Sequence, residues 1–161
     1  MTSAPFRLRE ATRSDVPVIV SLIEALALYE KQPEDCRADP RLLEEHLFGP
    51  RKYADVVLAE THEEVIGFAL YFFNYSTWLT RPGLYLEDLF VKPERRGLGA
   101  GKALLERLAQ IAVARGCGRM EWSVLTWNEP AIGFYKSLGA FPMDGWRTYR
   151  LTGDALAVLG R

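Results

Sequence analysis

Three glycines at alternate positions, opening a helix directly after an apolar strand, constrain this chain more than any other feature. The stretch is Val91-Lys92-Pro93-Glu94-Arg95-Arg96-Gly97-Leu98-Gly99-Ala100-Gly101-Lys102. Leu84 to Val91 reads as the strand. Lys102 to Arg115 reads as the helix, with Ala103, Leu104, Leu108, Ile111 and Ala112 on one face and Gly116 as its stop. Between them, glycine lets backbone N–H groups turn into one shared space, and the helix N-terminus adds a partial positive charge. Such a turn binds phosphate. Arg95 and Arg96 stand beside it, where they would steady a pyrophosphate. Two familiar phosphate loops do not fit. A G-x-G-x-x-G turn needs a glycine where Lys102 stands, and a Walker A loop needs Ser or Thr where Ala103 stands and a first glycine where Arg96 stands. The bland alternative is a helix start that merely tolerates glycine.

The rest of the chain surrounds this unit with alternating elements. Phe6 to Arg9 alternates apolar and charged residues and reads as a short strand. Val16, Ile19, Ile23, Leu26 and Ala27 then recur at helical spacing up to about Glu30. Asp39-Pro40 starts a second helix, with Asp39 as cap, and Gly49-Pro50 ends it. Ala54 to Glu60 and Val65 to Tyr75 form an antiparallel hairpin, and Ser76 to Gly83 is a loop. Arg119 to Leu125 is a strand lying parallel to Leu84–Val91, since a helix crosses over between them. Pro130 to Leu138 is a helix, Trp146 to Leu151 a last strand, and Asp154 to Leu159 a short terminal helix. The reading is a single α/β (or α+β) domain over residues 1–161 with a mixed sheet.

Composition narrows the function. Lys plus Arg number 20 and Asp plus Glu 21, for a net charge of −1, which disfavours a nucleic-acid-binding module. Cys36 and Cys117 stand far apart, and with two histidines they spell no zinc finger, so no metal is expected. No run of about 18 apolar residues exists, and Arg7, Arg9 and Glu10 interrupt any signal-like segment near the start. A cytoplasmic protein without a membrane partner is expected.

A second motif is Trp127-Asn128-Glu129-Pro130-Ala131-Ile132-Gly133-Phe134-Tyr135-Lys136-Ser137-Leu138-Gly139-Ala140. Asn128 suits a helix cap, and Tyr135 points away from the Phe134/Leu138 face. Taken alone, Tyr135 also suits a partly buried aromatic with a satisfied hydroxyl. Arg96-x-x-Gly99-x-Gly101 followed by Asn128…Phe134-Tyr135…Leu138-Gly139-Ala140 resembles the GNAT superfamily of acetyl-CoA-dependent N-acetyltransferases. Tyr29-Glu30, Tyr71 to Trp78, Tyr85 to Val91, Trp127 to Pro130 and Gly145-Trp146-Arg147 further resemble its spermidine/spermine and thialysine N-acetyltransferase branch. The resemblance covers nearly the whole chain. It implies a mostly antiparallel sheet with a central splayed parallel pair, flanked by helices.

The resemblance also implies a site. Backbone groups of Leu89, Phe90 and Val91 would hold the pantetheine arm of acetyl-CoA. Gly97, Leu98, Gly99, Ala100, Gly101 and Lys102, helped by Arg96, would hold its pyrophosphate, and Asn128 would contact the arm from the opposite wall. Glu87 or Asp88 would assist removal of a proton from the ammonium group, whose pKa lies near about 10. A backbone N–H near Leu89 would stabilise the oxyanion, and Tyr135 would protonate the leaving thiolate. Tyr29, Glu30, Trp78, Glu87, Asp144 and Trp146 would line the pocket of a small cationic amine such as a polyamine, diamine or thialysine-like compound. For Glu30 an ordinary solvated helix end is an equal alternative. Asp144 stands where the polyamine branch carries glutamate, and the approach to Gly145-Trp146 is shorter. The branch implies a homodimer. The rival readings are a non-catalytic acyl-CoA-binding sensor and an acetyltransferase for an unrelated small amine.

Overall fold

The computed structural model describes residues 5–161, which form two compact units, one ending at Ser123 and one spanning Val124–Arg161. The first unit contains β1 (Arg7–Glu10), α1 (Val16–Tyr29), α2 (Pro40–Phe48), β2 (Asp55–Glu60), β3 (Val65–Ser76), β4 (Arg81–Val91), α3 (Ala100–Ala114) and β5 (Arg119–Trp122). The second contains α4 (Glu129–Ser137) and α5 (Gly153–Leu159).

Five strands form one sheet in the order β1-β2-β3-β4-β5. The first four are antiparallel neighbours, and β4 and β5 run parallel. The mixed, mostly antiparallel sheet expected from the alternation of elements is therefore present. On one face, Ile19, Leu22 and Leu26 of α1 pack with Leu47 of α2 and with Val56, Leu58, Phe68 and Phe90 of the sheet. On the other, α3 buries Leu104, Leu105, Leu108 and Ala112. Side chains alternate along a strand, so Phe90 faces α1 and Val91 faces α3. Accordingly, a Cβ on Gly101 of α3 would sit 3.8 Å from Val91 Cγ2.

Local chemistry sets the ends of these elements. Asp39 caps α2 by accepting from the Arg41 and Leu42 N–H groups at 2.9 and 3.2 Å. Arg9 forks onto both carboxylate oxygens of the buried Asp15 at 2.8 Å, which ties β1 to the start of α1. Three helices end in the same hydrogen-bonded turn. For α3, Gly116 (φ 72°) is the left-handed residue, and Cys117 N–H donates to Ala112 O at 2.9 Å. For α4, Gly139 (φ 90°) plays that part, and Ala140 N–H donates to Tyr135 O at 3.2 Å. For α1 the left-handed residue is Lys31 (φ 63°), and Gln32 N–H donates to Ala27 O at 2.9 Å.

Four expectations are corrected. The β3–β4 loop is only residues 77–80, because both strands extend further toward the turn. The strand expected to reach Leu125 stops at Trp122, where its pairing with β4 ends. The strand expected at Trp146–Leu151 is absent among the described residues. Its alternating pattern finds no ladder partner, since the unit around it supplies only helices. The helix expected to begin at Lys102 begins at Ala100 instead.

Gly67 marks where β3 and β4 press closest. A Cβ there would lie 2.7 Å from Phe90 O and 3.0 Å from Val91 Cγ2. Relief requires a backbone shift, and overpacking of this kind costs about 1–3 kcal/mol. Gly67→Ala is expected to lower the urea midpoint correspondingly, with an unaltered denaturant slope.

Candidate functional site

The site grows from a break in strand pairing. β4 and β5 pair over Gly83↔Arg119, Leu84↔Met120, Tyr85↔Glu121 and Leu86↔Trp122, and no further. β4 itself continues to Val91 on the β3 side. Lys92 N–H donates to Ile66 O at 2.8 Å, which places Lys92 and Ile66 in a hydrogen-bonded pair. In an antiparallel ladder such pairs alternate, so Phe90 and Asp88 also bond toward β3. The N–H and C=O groups of Leu89 and Val91 point the other way, toward the edge that β5 has left. An unpaired edge of this kind accepts an extended ligand as it would accept another strand.

At the end of that edge lies the glycine turn. Gly97 (φ 89°) and Gly99 (φ 85°) both take the left-handed conformation, and a Cβ on either would meet nothing within 4 Å. Gly99 is the N-cap of α3 and offers no side chain to the helix. The first intrahelical bond is Ala103 N–H to Gly99 O at 3.0 Å, so the N–H groups of Ala100, Gly101 and Lys102 have no helical partner. This arrangement fits a pyrophosphate, with the α3 dipole behind it. The Lys102 ammonium sits 3.6 Å from Glu106, a weak exposed pair.

The two arginines beside the turn have different surroundings. Arg95 Nε donates to Glu64 at 2.9 Å and its Nη2 to Glu63 at 3.0 Å, while Lys92 Nζ reaches Glu64 at 2.6 Å. These carboxylates close the β2–β3 hairpin and clamp the short turn Pro93–Arg95. Arg95 is thus engaged in the scaffold, not extended to a ligand as its position in the sequence suggested. Arg96 Nε donates to Val91 O at 3.2 Å, and its guanidinium carbon lies 4.6 Å from the centre of the Tyr29 ring.

The carboxylates gather at the same end of β4. A bulge between Leu70 and Tyr71 of the β3 register (Leu70↔Asp88, Tyr71↔Leu86) leaves Glu87 unopposed and exposed. Bulges re-aim side chains beside active sites. Past the bulge, Asp88 shares the α1-facing side of the strand with Phe90. Burial, then the negative charges of Glu87 and Glu30, push the Asp88 carboxyl up to about 6. Glu30 caps α1, and burial raises its carboxyl as well. Three like charges act on one another at this end of β4, and the group suits an ammonium. Tyr29 stands beside them, its ring 6.4 Å from that of Phe90. Lys31, in the left-handed region at a cost of about 1 kcal/mol, turns the chain immediately after Glu30.

Other expected pocket residues lie elsewhere. Trp78 sits 88% exposed in the β3–β4 turn. Six residues of strand at about 3.3 Å each put Arg81, and Trp78 beyond it, roughly 20 Å or more from Glu87. The fold therefore does not bring Trp78 to the carboxylates of its own chain. In the second unit, Asn128 caps α4, accepting from Ala131 N–H at 3.4 Å, and Tyr135 lies on the last turns of α4 with its ring 5.7 Å from that of Phe134. Asp144 and Trp146 belong to a turn closed by Trp146 N–H donating to Met143 O at 3.1 Å. Among the described residues no group of three or more His, Cys, Asp or Glu side chains forms a metal site, and no helix is long and apolar enough to cross a membrane.

Asp88 makes the site costly. In the unfolded chain its carboxyl ionises near 3.8; in the folded chain it is held up to about 6. The ionised form is thus disfavoured by folding at neutral pH. Asp88→Asn is expected to stabilise the fold by about 1–2 kcal/mol above pH 6. The advantage should shrink as pH falls from 6 toward 4 and be lost below about 3, where both states are protonated. Urea unfolding at several pH values measures this, and an equal effect at pH 4 and pH 8 would contradict the assignment.

The arrangement has known counterparts. The Acetyltransferase (GNAT) family matches residues 19–140. A thialysine N-epsilon-acetyltransferase of Bos taurus is 36% identical over 94% of this chain and 95% of its own length. A spermidine/spermine N(1)-acetyltransferase-like protein of Homo sapiens is 34% identical over 94% of this chain and 23% of its own length. A solved structure described as an integron cassette protein from the mobile metagenome of V. cholerae superposes with a TM-score of 0.83 at 27% identity, covering 99% of each chain. The splayed parallel strands and the glycine turn thus occur in a chain that belongs to the GNAT acetyltransferase family, whose members are acyltransferases using acetyl-CoA as co-substrate.

Proposed function

We propose that this chain transfers the acetyl group of acetyl-CoA to a primary amine of a small cationic substrate, in the manner of a thialysine or polyamine acetyltransferase. One observation carries the amine class: Asp88, Glu87 and Glu30 converge beside the unpaired edge of β4. A pocket with that much negative charge selects a cation, and Tyr29 offers an aromatic face to it.

The proposed steps follow from the groups present. The pantetheine arm extends along β4, bonded by Leu89 and Val91. The pyrophosphate rests on the N–H groups from Gly97 to Lys102. The ammonium enters among the carboxylates, and Asp88, with its carboxyl near 6, takes its proton directly or through a water. Burial and then the charge of Glu87 at the bulge hold Asp88 in that range. The neutral amine attacks the thioester carbonyl carbon, whose oxygen accepts from the Leu89 N–H. The carbon–sulfur bond breaks, Tyr135 supplies a proton to the departing thiolate, and the second proton shed by the attacking nitrogen restores the tyrosine hydroxyl by way of solvent. Tyr135 and Asn128 enter this reading through the resemblance of their motif. Asp144 and Trp146 enter likewise, as the distal part of the pocket. The Bos taurus relative is named for thialysine, a relative from Arabidopsis thaliana for L-ornithine, and the matched human relative for spermidine and spermine. Under the same reading the chain is one acetyltransferase domain working as a cytoplasmic homodimer, without metal, membrane or nucleic-acid partner. The match of the family across residues 19–140, which spans both units, supports the single domain.

Free-thiol release from acetyl-CoA, measured against thialysine, lysine, ornithine, putrescine, spermidine and spermine, tests the reading. Turnover with a cationic amine is expected, with kcat/KM falling as pH drops through about 6. Tyr135→Phe is expected to lower kcat about 100-fold while leaving CoA binding by calorimetry within about twofold. Tight acetyl-CoA binding without turnover on any amine would point to a sensor instead.

A further inference from the structure

The glycine turn and the carboxylate cluster meet through one side chain. Arg96 opens the turn, yet its guanidinium does not simply face the space above the glycines. Its carbon lies 4.6 Å from the centre of the Tyr29 ring and 5.8 Å from that of Phe90, and its Nε is fixed to Val91 O at 3.2 Å. Tyr29 is the last residue of α1, and Glu30 is the cap that follows. Where α3 and α4 end on glycine, α1 ends on Lys31 in the left-handed region. That terminus departs from the backbone's own preference and needs tertiary contacts to persist.

We propose that Arg96 is a positioning residue for the amine pocket, which stacks on Tyr29 to hold the end of α1, and Glu30 with it, against β4. The inference rests on the reading that Glu30 and Asp88 receive the amine. The chemistry requires arginine. A guanidinium is planar and stacks on an aromatic face while its N–H groups stay directed in their own plane, whereas an ammonium is a compact, strongly hydrated charge. Arg96→Lys therefore keeps the positive charge beside the phosphate turn and loses the stack.

Two measurements test the proposal. In steady-state kinetics with thialysine or spermidine, Arg96→Lys is expected to raise the amine KM about fivefold and the acetyl-CoA KM less than twofold. The reverse split would make Arg96 a phosphate ligand alone and overturn the proposal. Tyr29→Leu should produce the same rise, and the double variant should be no worse than either single one. Full additivity would overturn the coupling. Amide hydrogen exchange gives a readout independent of turnover. The N–H groups of Glu30, Lys31 and Gln32 donate to Leu26 O, Leu28 O and Ala27 O at 2.8, 3.1 and 2.9 Å. Their exchange should quicken about fivefold or more in Arg96→Lys and Tyr29→Leu, and stay at the wild-type rate in Tyr29→Phe, which keeps the ring. Unchanged exchange in Arg96→Lys would overturn the proposal even if no amine in the panel is turned over. In that case the functional reading fails by a separate observation.

Discussion

Everything functional in this molecule depends on two parallel strands that part company. β4 and β5 share four residue pairs and then separate, while β4 remains anchored to β3 for five residues more. A buried sheet seldom leaves backbone donors and acceptors without partners, because each unmet group costs free energy. Here the row is short, held rigid from behind, met at the Val91 carbonyl by Arg96 Nε–H, and continuous with a helix start that has no side-chain cap. Gly67, which lets β3 approach β4 closely at Phe90, contributes to that rigidity. The result is a preformed slot with polar groups directed along one line, ending at a positive helix terminus. A long ligand with an amide-rich arm and a phosphate end matches both parts.

The second constraint is electrostatic. Asp88 stands at a strand position that alternation assigns to the α1-facing core, two residues before Phe90. A carboxyl there loses hydration, and the negative charges of Glu87 and Glu30 disfavour its ionisation further. Opposite charges elsewhere are tied up in the scaffold: Arg9 with Asp15 and Glu60, and Arg95 and Lys92 with Glu63 and Glu64. Those pairs hold the scaffold, while the carboxylate group near β4 suits a cation from solution. Stability is given up at this position, as is common where a group must be poised for proton transfer.

Much of this was legible in the residues themselves. The glycine spacing located the left-handed turn that opens α3, and the helix crossover predicted a parallel strand pair. Asp39-Pro40 and Gly116 each announced a helix boundary that the backbone confirms. The bulge at Glu87 was not legible, because an extra residue in one strand appears only once its partner register is known. The end of α1 near Glu30 was legible, but the left-handed conformation of Lys31 was not, since a lysine carries no sign that it will adopt one. Arg95 and Arg96 look alike in sequence, and only the hairpin carboxylates on one side and Tyr29 on the other distinguish them. The segment Trp146–Leu151 has the alternation of a strand, but alternation does not supply a neighbour.

The central claim is that the free edge of β4 and the glycine turn together form the coenzyme slot. Titrating the 15N-labelled protein with CoA and following backbone amide resonances tests it directly. The account predicts that the Leu89, Val91, Gly97, Gly99, Ala100, Gly101 and Lys102 amides shift together with one saturation curve, while Phe90, bonded to β3, moves least along β4. Shifts confined to residues outside β4 and the turn, or a turn that responds without Leu89 and Val91, would contradict it.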